Sequence, residues 1–339
     1  MDQSDHRPLG RRLAAPAVAC TVLAACGGGG GGGDPVPPAL DNTVRSQAAA
    51  TTAQNNGACT AIRPFYWEIG SQAGALASGS LEPAASPAGA VTYTATTLMA
   101  IASASKWLYG GYVAQARGAA GLSADDIKFL TFRSGYTNFS ICLQNDTVDS
   151  CLARGTNGLY TPATDGKFFY DGGHMQKHAS LAGLGAMDNA ALSAAVRGQV
   201  GADVNLAYTQ PQAAGGVAST ASDYARYLRK LLSGQLRMSQ LLGSNAVCTN
   251  PTTCGGTAIA APIPQTESWH YSIGHWVEDD PVVGDGAFSS PGAFGFYPWI
   301  DASRTWYGVL ARRGDAGTGI DSVLCGRQIR KAWVTGAAQ

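Results

Sequence analysis

The chain has 339 residues, of which 45% are hydrophobic and only 14% are charged, and its 23 basic residues balance 23 acidic ones. This composition is typical of a globular protein with a weakly charged surface. Because there is no basic excess to neutralise phosphates, the composition argues against nucleic acid as the main partner. About 280 residues follow an atypical N-terminal segment, enough for one large domain or two interlocked ones.

The first 26 residues have the features of a bacterial export signal. Basic residues up to Arg12 precede an apolar run over residues 13–25, which is too short for a membrane-spanning helix but long enough for a signal-peptide core. The run ends in Leu23-Ala24-Ala25-Cys26, which resembles a lipobox. Cys26 is therefore expected to become the lipidated first residue of the mature protein. An ordinary cleaved signal peptide is the alternative.

Residues 27–56 are predicted to form a tether. A run of seven glycines is followed by a proline-rich stretch and then by residues rich in Ala, Thr, Gln and Asn, which supply flexibility and extension but no core. A lipid on Cys26 would hold the following domain at a membrane surface. Gly27 after the cysteine favours the periplasmic face of the outer membrane. A secreted or periplasmic protein is the alternative.

Six cysteines remain after the leader, an even number that favours three disulfides in an oxidising compartment. Two local pairs would close short loops, and the last pair would join the chain ends: Cys142–Cys151, Cys248–Cys254 and Cys59–Cys325. The spacings contain no Cys-x-x-Cys, so no metal site is expected.

The first half of the domain begins with strands and continues with a helix. Aromatic and β-branched residues with turn signals predict strands at 65–69, 74–81 and 91–94. Residues 97–117 lack proline and carry apolar residues at helical spacing, which predicts a helix. Ser123 and the acids after it are typical of a helix start.

Later residues add a helix at 220–232, strands at 270–277, 293–301 and 305–312, and a last helix at 319–334. Strands at both chain ends predict one sheet assembled from N- and C-terminal segments. We therefore expect one domain over residues 57–339. Its sheet lobe is predicted at about 57–96 and 257–339, and its inserted, mainly helical lobe at about 97–256.

Ser103 and Lys106 form a Ser-x-x-Lys motif near the start of the predicted helix. Residues three apart share a helix face, so the hydroxyl and the amine can meet. A serine hydroxyl is a weak nucleophile unless a base lies beside it, and a lysine can act as that base when burial lowers its pKa. The motif also occurs by chance, as a capping serine followed by an exposed lysine.

The surrounding sequence resembles the class C β-lactamase-like and D,D-peptidase-like serine hydrolases, which include esterases and nylon-oligomer hydrolases. The similar stretches are residues 101–107, 126–138, 166–184, 215–231 and 289–301. They include Phe129-Leu130-Thr131-Phe132-Arg133-Ser134-Gly135, similar to the family's "LLTHTSG" segment, and Gly215-Gly216-Val217-Ala218-Ser219-Thr220, similar to its "GGlxST" segment. The resemblance covers residues 60–335 and implies an α/β fold of the β-lactamase/transpeptidase type. In that fold, an antiparallel sheet is flanked by N- and C-terminal helices and carries an inserted helical lobe.

The resemblance also implies a role for each site residue. Ser103 would accept the acyl group, Lys106 would exchange its proton, and Tyr170 would be the second proton-transfer group. The backbone amides of Ser103 and Ala293 would form the oxyanion hole. Gly172, Ser290 and Gly292 would contact the substrate. Tyr136, in a literal Tyr-x-Asn, is a second candidate for the tyrosine.

Two motifs depart from the family pattern. The family's Tyr-x-Asn is replaced by Tyr170-Asp171-Gly172, which removes an amide that orients the lysine or the substrate. The Lys-Thr-Gly or His-x-Gly triplet is replaced by Ser290-Pro291-Gly292, which removes the cation that would bind a β-lactam carboxylate. Both changes favour a neutral ester or amide substrate.

The histidines do not predict a different catalytic centre. His174 and His178 lie four residues apart but lack the glutamate of a zincin motif, so we expect them on a polar helix face. His275 is expected to be a packed surface residue. Most C-terminal aromatic residues are expected in the core, with one or two lining an acyl pocket.

Together these features predict a lipid-anchored, monomeric serine hydrolase of the carboxylesterase or amidase type, without cofactor or metal. Its partners would be a small ester or amide substrate and the membrane. One alternative is a D,D-peptidase or β-lactamase that acts on the cell wall or an antibiotic. Another is a non-catalytic, ligand-binding lipoprotein of the same fold.

Overall fold

The computed structural model describes residues 40–83 and 91–339. The predicted leader, with Cys26, and the first part of the predicted tether lie outside the described residues. Within the described ranges, no helix has both the length and the apolar character that crossing a membrane requires.

Most strands have two to four residues, and four have six to eight. In chain order they are β1 (Phe65–Ser71), β2 (Gly74–Leu81), β3 (Met99–Ala100), β4 (Ser134–Tyr136), β5 (Tyr160–Asp165), β6 (Phe168–Phe169), β7 (Leu206–Tyr208), β8 (Val217–Ser219), β9 (Val247–Cys248), β10 (Ala258–Ala260), β11 (His270–Tyr271), β12 (Trp276–Glu278), β13 (Ala287–Ser289), β14 (Tyr297–Ile300) and β15 (Trp306–Ala311).

Eight strands form the main antiparallel sheet, in the order β2-β1-β15-β14-β13-β12-β11-β9. The N-terminal strand β1 pairs with the C-terminal strand β15, with Trp67 opposite Leu310. This pairing confirms that both chain ends build one sheet. The strand β9 also joins this sheet, although its residues fall within the range predicted for the helical lobe.

The helices lie before, between and after these strands. They are α1 (Asn42–Asn55), α2 (Gly57–Thr60), α3 (Ser105–Arg117), α4 (Ala124–Leu130), α5 (Val148–Leu152), α6 (Gly173–Ala179), α7 (Asn189–Val200), α8 (Ala221–Leu232), α9 (Met238–Leu241) and α10 (Gly319–Thr335). The helices α3 to α9 form the insertion between the two sets of sheet strands. The predicted fold class is therefore confirmed.

The helix α1 corrects the predicted tether, which was expected to continue to residue 56. The Asp41 side chain caps the helix, and alanines on one side of it are buried. Arg45 Nη1 donates hydrogen bonds to the carbonyls of Trp333 (2.7 Å) and Val334 (2.9 Å) in α10. Residues 42–55 therefore belong to the domain, where small side chains let α1 pack closely against the C-terminal helix.

Three other predicted elements differ from the structure. Residues 91–94 form no strand. The predicted strand at 270–277 is a hairpin of β11 and β12, and its turn contains Gly274 with φ +71°. The predicted strand at 293–301 begins only at Tyr297, because a turn closed by a hydrogen bond from Gly292 N to Phe296 O (2.7 Å) precedes it.

The three disulfides are the pairs predicted from the sequence: Cys59–Cys325, Cys142–Cys151 and Cys248–Cys254. The first joins α2 to α10 across 266 residues of sequence. It therefore ties the start of the domain to its last helix, beside the contact between α1 and α10.

Candidate active site

The turn that carries Ser103 lies between β3 and α3. Residues Ala102–Ala104 form a single 3₁₀ turn, and α3 begins at Ser105, so the predicted continuous helix over 97–117 is wrong at its start. A hydrogen bond from Ile101 N to Val217 O (3.0 Å) holds the preceding residue in the small sheet of β3, β8 and β7. Ala102 has φ +44°, a left-handed conformation that is unfavourable for alanine and is found often at functional sites.

Lys106 lies directly beside the Ser103 hydroxyl. Its Nζ donates hydrogen bonds to Ser103 Oγ (2.9 Å) and to the carbonyl oxygen of Ala214 (2.8 Å), and only 5% of the residue is exposed. Burial lowers the pKa of Lys106 to about 7, while the charge of Asp171 acts in the opposite direction. A substantial fraction of the amine is therefore neutral near neutral pH, as a proton acceptor requires.

Tyr170 closes the other side of this pair. Lys106 Nζ lies 4.8 Å from the centre of its ring, and the ring stacks on Trp276 at 5.3 Å. Burial raises the pKa of Tyr170 to about 12, and hydrogen bonding with the Ser103 and Trp276 side chains opposes this rise. The phenol thus keeps its proton at neutral pH. The competing Tyr136 stacks on Phe129 instead.

Asp171, which follows Tyr170, lies just before α6. Its Oδ1 accepts hydrogen bonds from the amides of Gly173 (2.7 Å) and Phe139 (3.2 Å). Burial raises the pKa of Asp171, while the two amides and Lys106 lower it. Gly172 faces the Phe139 ring and does not line the cavity beside Ser103. Its contact with the substrate stays a prediction.

A cavity of about 160 Å³ opens at Ser103. Its wall contains one of the three predicted substrate-contacting residues, Gly292, and several apolar side chains. The lining residues are Ser103, Tyr170, Pro262, Ile263, Trp269, Trp276, Pro291, Gly292, Ala293, Gly317, Gly319 and Ile320. Among the described residues, no charged side chain belongs to this lining.

Ser290 supports the turn that carries Ser103 from behind. Its hydroxyl donates a hydrogen bond to the Ser103 carbonyl (3.0 Å), and the residue is almost fully buried. In this position the serine holds the Ser103 backbone and does not line the cavity. Contact of Ser290 with the substrate stays a prediction.

Because Gly292 has no side chain, the turn before β14 can lie close to the turn that carries Ser103. A Cβ at this position would lie 2.2 Å from the carbonyl oxygen of Ile101, closer than atoms can approach. The hydrogen bonds of this turn run from Gly292 N to Phe296 O, from Gly295 N to Gly292 O and from Gly317 N to Ala293 O. None of the three uses the Ala293 amide, the predicted oxyanion donor.

The histidines are buried, not placed on a polar face or on the surface as expected. His174 Nδ1 lies 2.7 Å from Ser134 Oγ, and burial lowers its pKa to about 4. His178 lies between the Tyr109 hydroxyl (2.7 Å) and Asp126 Oδ1 (2.8 Å). His275 stacks on Trp107 and is fully buried. The ring nitrogens of these three histidines form hydrogen bonds away from the Ser103 cavity.

Two contacts of the site were not predicted from the sequence. The Ala214 carbonyl that binds Lys106 directly precedes the Gly215-Gly216 segment. The resemblance of that segment to the family does not indicate this contact. The Trp276 contact with Tyr170 comes from an aromatic strand predicted mainly as core. A backbone carbonyl has no sequence signature, whereas the aromatic strand offered a partial signal.

No family model and no curated protein matches the chain. Solved structures do resemble it. The hydrolase EstCE1, described as having promiscuous acyltransferase activity, superposes with a TM-score of 0.60 at 12% identity, covering 86% of this chain and 99% of that one. An octameric penicillin-binding protein homologue from Pyrococcus abyssi has a TM-score of 0.59 at 13% identity, covering 87% and 77%. A β-lactamase from Mycobacterium bovis has a TM-score of 0.52 at 14% identity, covering 81% and 96%.

At these identities, the likeness establishes the fold. The chain has the fold of the β-lactamase-like and penicillin-binding-protein-like serine hydrolases, as the sequence motifs implied.

Proposed function

We propose that the protein is a serine hydrolase that cleaves a neutral ester or amide through an acyl-enzyme on Ser103. The observation that carries the proposal is the 2.9 Å contact between Ser103 Oγ and the buried Lys106 Nζ. An amine with a pKa of about 7 is matched to proton transfer at neutral pH. The hydroxyl beside it becomes a competent nucleophile when the amine is neutral.

In the proposed acylation, neutral Lys106 takes the Ser103 proton while Oγ bonds to the substrate carbonyl carbon. The carbonyl oxygen gains the electron pair of the π bond, and the amides of Ser103 and Ala293 bind it. Each such donor contributes about 3 kcal/mol to transition-state stabilisation in related sites. The bond to the leaving group then breaks, and the Tyr170 hydroxyl gives that group a proton.

The Lys106 ammonium returns its proton to the Tyr170 oxygen and is neutral again. Deacylation repeats the sequence with water as the nucleophile. Lys106 takes a water proton while the water oxygen bonds to the acyl carbon, and the bond from that carbon to Oγ then breaks. The Lys106 ammonium gives its proton to Ser103 Oγ, and the acid is released. The pKa of about 12 for Tyr170 supports this role, because the phenol is protonated when the leaving group needs a proton.

The uncharged cavity lining supports a neutral substrate. A carboxylate placed there would lose its hydration without a cation to replace it, which is costly in a buried site. The buried Ser290 hydroxyl offers no compensating charge, because it is engaged by the Ser103 carbonyl. The same features weigh against β-lactams and against peptides that end in a carboxylate.

The test combines labelling and kinetics. A fluorophosphonate probe is expected to label the wild type on Ser103, and Ser103→Ala is expected to lose both labelling and p-nitrophenyl ester turnover. Ser80→Ala, an exposed serine on β2, is the matched control and should retain both. Intact turnover in Ser103→Ala would refute the proposal.

Two further outcomes separate the alternatives. Covalent capture of a fluorescent penicillin by Ser103 would favour a D,D-peptidase or β-lactamase. Absence of labelling and turnover across esters and amides, together with saturable ligand binding, would favour a non-catalytic protein.

We also propose that the protein is exported and lipid-anchored through Cys26. The three disulfides support an oxidising compartment, because such bonds rarely persist in the cytosol. Since the domain begins with α1, the proposed tether shortens to the residues between Cys26 and Asp41. Metabolic labelling with palmitate should mark the wild type but not Cys26→Ser. Equal labelling of both would refute the anchor.

A further inference from the structure

The cavity beside Ser103 has one rigid aromatic wall. Trp269 and Trp276 are fully buried and meet edge to face, with their ring centres 5.7 Å apart. Trp269 Nε1 donates a hydrogen bond to Glu267 Oε2 (2.8 Å), and the Arg327 guanidinium lies 5.5 Å from the Trp269 ring centre. Because these contacts fix the ring from behind, a bound group cannot gain room on this side.

The remaining apolar wall is aliphatic and comes from two different segments. Ile263 lies in the loop after β10, and Ile320 lies in the first turn of α10. Unlike the tryptophans, neither isoleucine has a polar group that a neighbour must satisfy. These two side chains therefore determine how far the cavity extends from Ser103.

The cavity beside Ser103 has a volume of about 160 Å³ and is partly open to solvent. An apolar protein cavity of about 150 Å³ accommodates a molecule the size of benzene. An acyl group that enters this space would stay there until water releases it, because it remains bonded to Ser103 Oγ. Glycine and proline complete the wall near Ser103, and no charged side chain contributes to it.

We propose that this cavity is an acyl pocket for short or phenyl-sized uncharged acyl groups, and that Ile263 and Ile320 set its size limit. The inference rests on the proposed function. Within the limit, each buried methylene should raise kcat/KM about fourfold. Beyond the limit, a longer chain must leave the pocket or displace a wall, which should lower kcat/KM by about tenfold or more.

The experiment measures kcat/KM for p-nitrophenyl esters of acetate, butyrate, hexanoate and octanoate. The wild type is expected to show an optimum at butyrate or hexanoate and a steep fall at octanoate. In Ile320→Ala and Ile263→Ala the optimum should move to longer chains, raising the octanoate-to-acetate ratio by about tenfold. Leu324→Ala is the matched control, since Leu324 lies one turn further along α10, is 40% exposed and does not line this cavity.

A second series keeps the acyl group as butyrate and lengthens the alcohol. If the optimum depends on the alcohol and not on the acyl chain, the acyl assignment is wrong. A p-nitrophenyl hemiester that ends in a carboxylate should react about 100-fold more slowly than the neutral ester of equal length. Equal rates for the two esters would contradict the uncharged pocket.

The outcomes also distinguish this inference from the proposed function. Absence of Ser103-dependent ester turnover in the wild type would refute both. Ser103-dependent turnover with the same chain-length profile in the wild type and both isoleucine variants would refute the acyl pocket alone. Fluorophosphonate labelling of each variant verifies a folded site, and Ile263→Val provides a milder change if Ile263→Ala does not fold.

Discussion

Asp171 provides a sharp test of how charge tunes the proposed base. Burial lowers the pKa of Lys106 to about 7, and the Asp171 charge opposes this shift because a carboxylate stabilises the ammonium form. Asp171→Asn removes the charge and keeps an oxygen that can accept from the Gly173 amide, as Oδ1 does at 2.7 Å. The pKa of Lys106 should therefore fall further in the variant.

The size of the effect follows from Coulomb's law. At an effective dielectric constant of about 20, two unit charges about 4 Å apart interact by about 4 kcal/mol, and the energy falls in inverse proportion to their separation. Burial raises the pKa of Asp171 itself, and two amides share its oxygen, so part of this value is lost. We expect the acidic limb of the pH profile to move down by about one pH unit, or about 1.4 kcal/mol.

The assay is the pH dependence of kcat/KM for p-nitrophenyl butyrate between pH 5 and 9, which reports the ionisation of the free enzyme. In the wild type the rate should rise with pH through about 7, as Lys106 loses its proton. In Asp171→Asn the rate at pH 6 should be about fivefold higher relative to its plateau. Asp125→Asn, an exposed acid in α4, is the control and should leave the limb in place.

An acidic limb that stays at the same pH in Asp171→Asn, or moves upward, would refute the assignment of the base. Lys106→Arg gives an independent check, because a guanidinium cannot lose its proton in this range. That variant should lose activity across the whole profile, without a shifted limb. Activity that recovers at high pH in Lys106→Arg would point to a different base.

Three further predictions concern stability and geometry. Lys106→Met should abolish turnover yet raise the free energy of unfolding at pH 6 by about 2 kcal/mol, because a buried amine with a depressed pKa resists protonation while the orphaned Ala214 carbonyl offsets part of the gain. Between the pKa of Lys106 in the folded protein and its higher pKa in the unfolded chain, the unfolded state binds more protons, so the stability of the wild type should rise from pH 7 to 10. Denaturant titrations of the variant should not show this rise. Gly292→Ala should lower kcat/KM by about 100-fold, because its Cβ would meet the Ile101 carbonyl; a change below threefold would contradict the close approach. Replacing both Cys59 and Cys325 by alanine should cost about 4 kcal/mol in chemical unfolding while leaving the Ser103 site active, and an unchanged midpoint would contradict this.

The predictable part of the site comes from side chains close together in the sequence. Ser103 and Lys106 are three residues apart, so almost any helical turn brings them near each other. The helix start at Ser123 was also predictable, and the structure has the full capping box there, with Asp126 as the reciprocal partner. In such cases the local sequence carries the information that the structure uses.

Contacts between residues far apart in the sequence determine the features that the sequence patterns do not predict. Ser103 lies in a 3₁₀ turn and not within a continuous helix, because the Ile101 amide pairs with Val217, more than a hundred residues later. The helix α1 was missed because its alanine- and threonine-rich sequence has no strong apolar face. Its stability comes from packing on α10, which is a tertiary contact.

The two departures from the family motifs affect different parts of the site. Where an asparagine amide would orient the lysine, the Ala214 carbonyl binds Lys106 Nζ, so this contact of the lysine does not require the missing amide. Where the triplet would supply a cation, Ser290 uses its hydroxyl to hold the Ser103 carbonyl, so the geometry survives but the charge is lost. Nucleophile activation and recognition of anions are therefore physically separable in this fold. The chain keeps the contacts that activation of the nucleophile requires, and it lacks the cation that recognition of an anion requires. We therefore expect selectivity for uncharged substrates and no loss of reactivity.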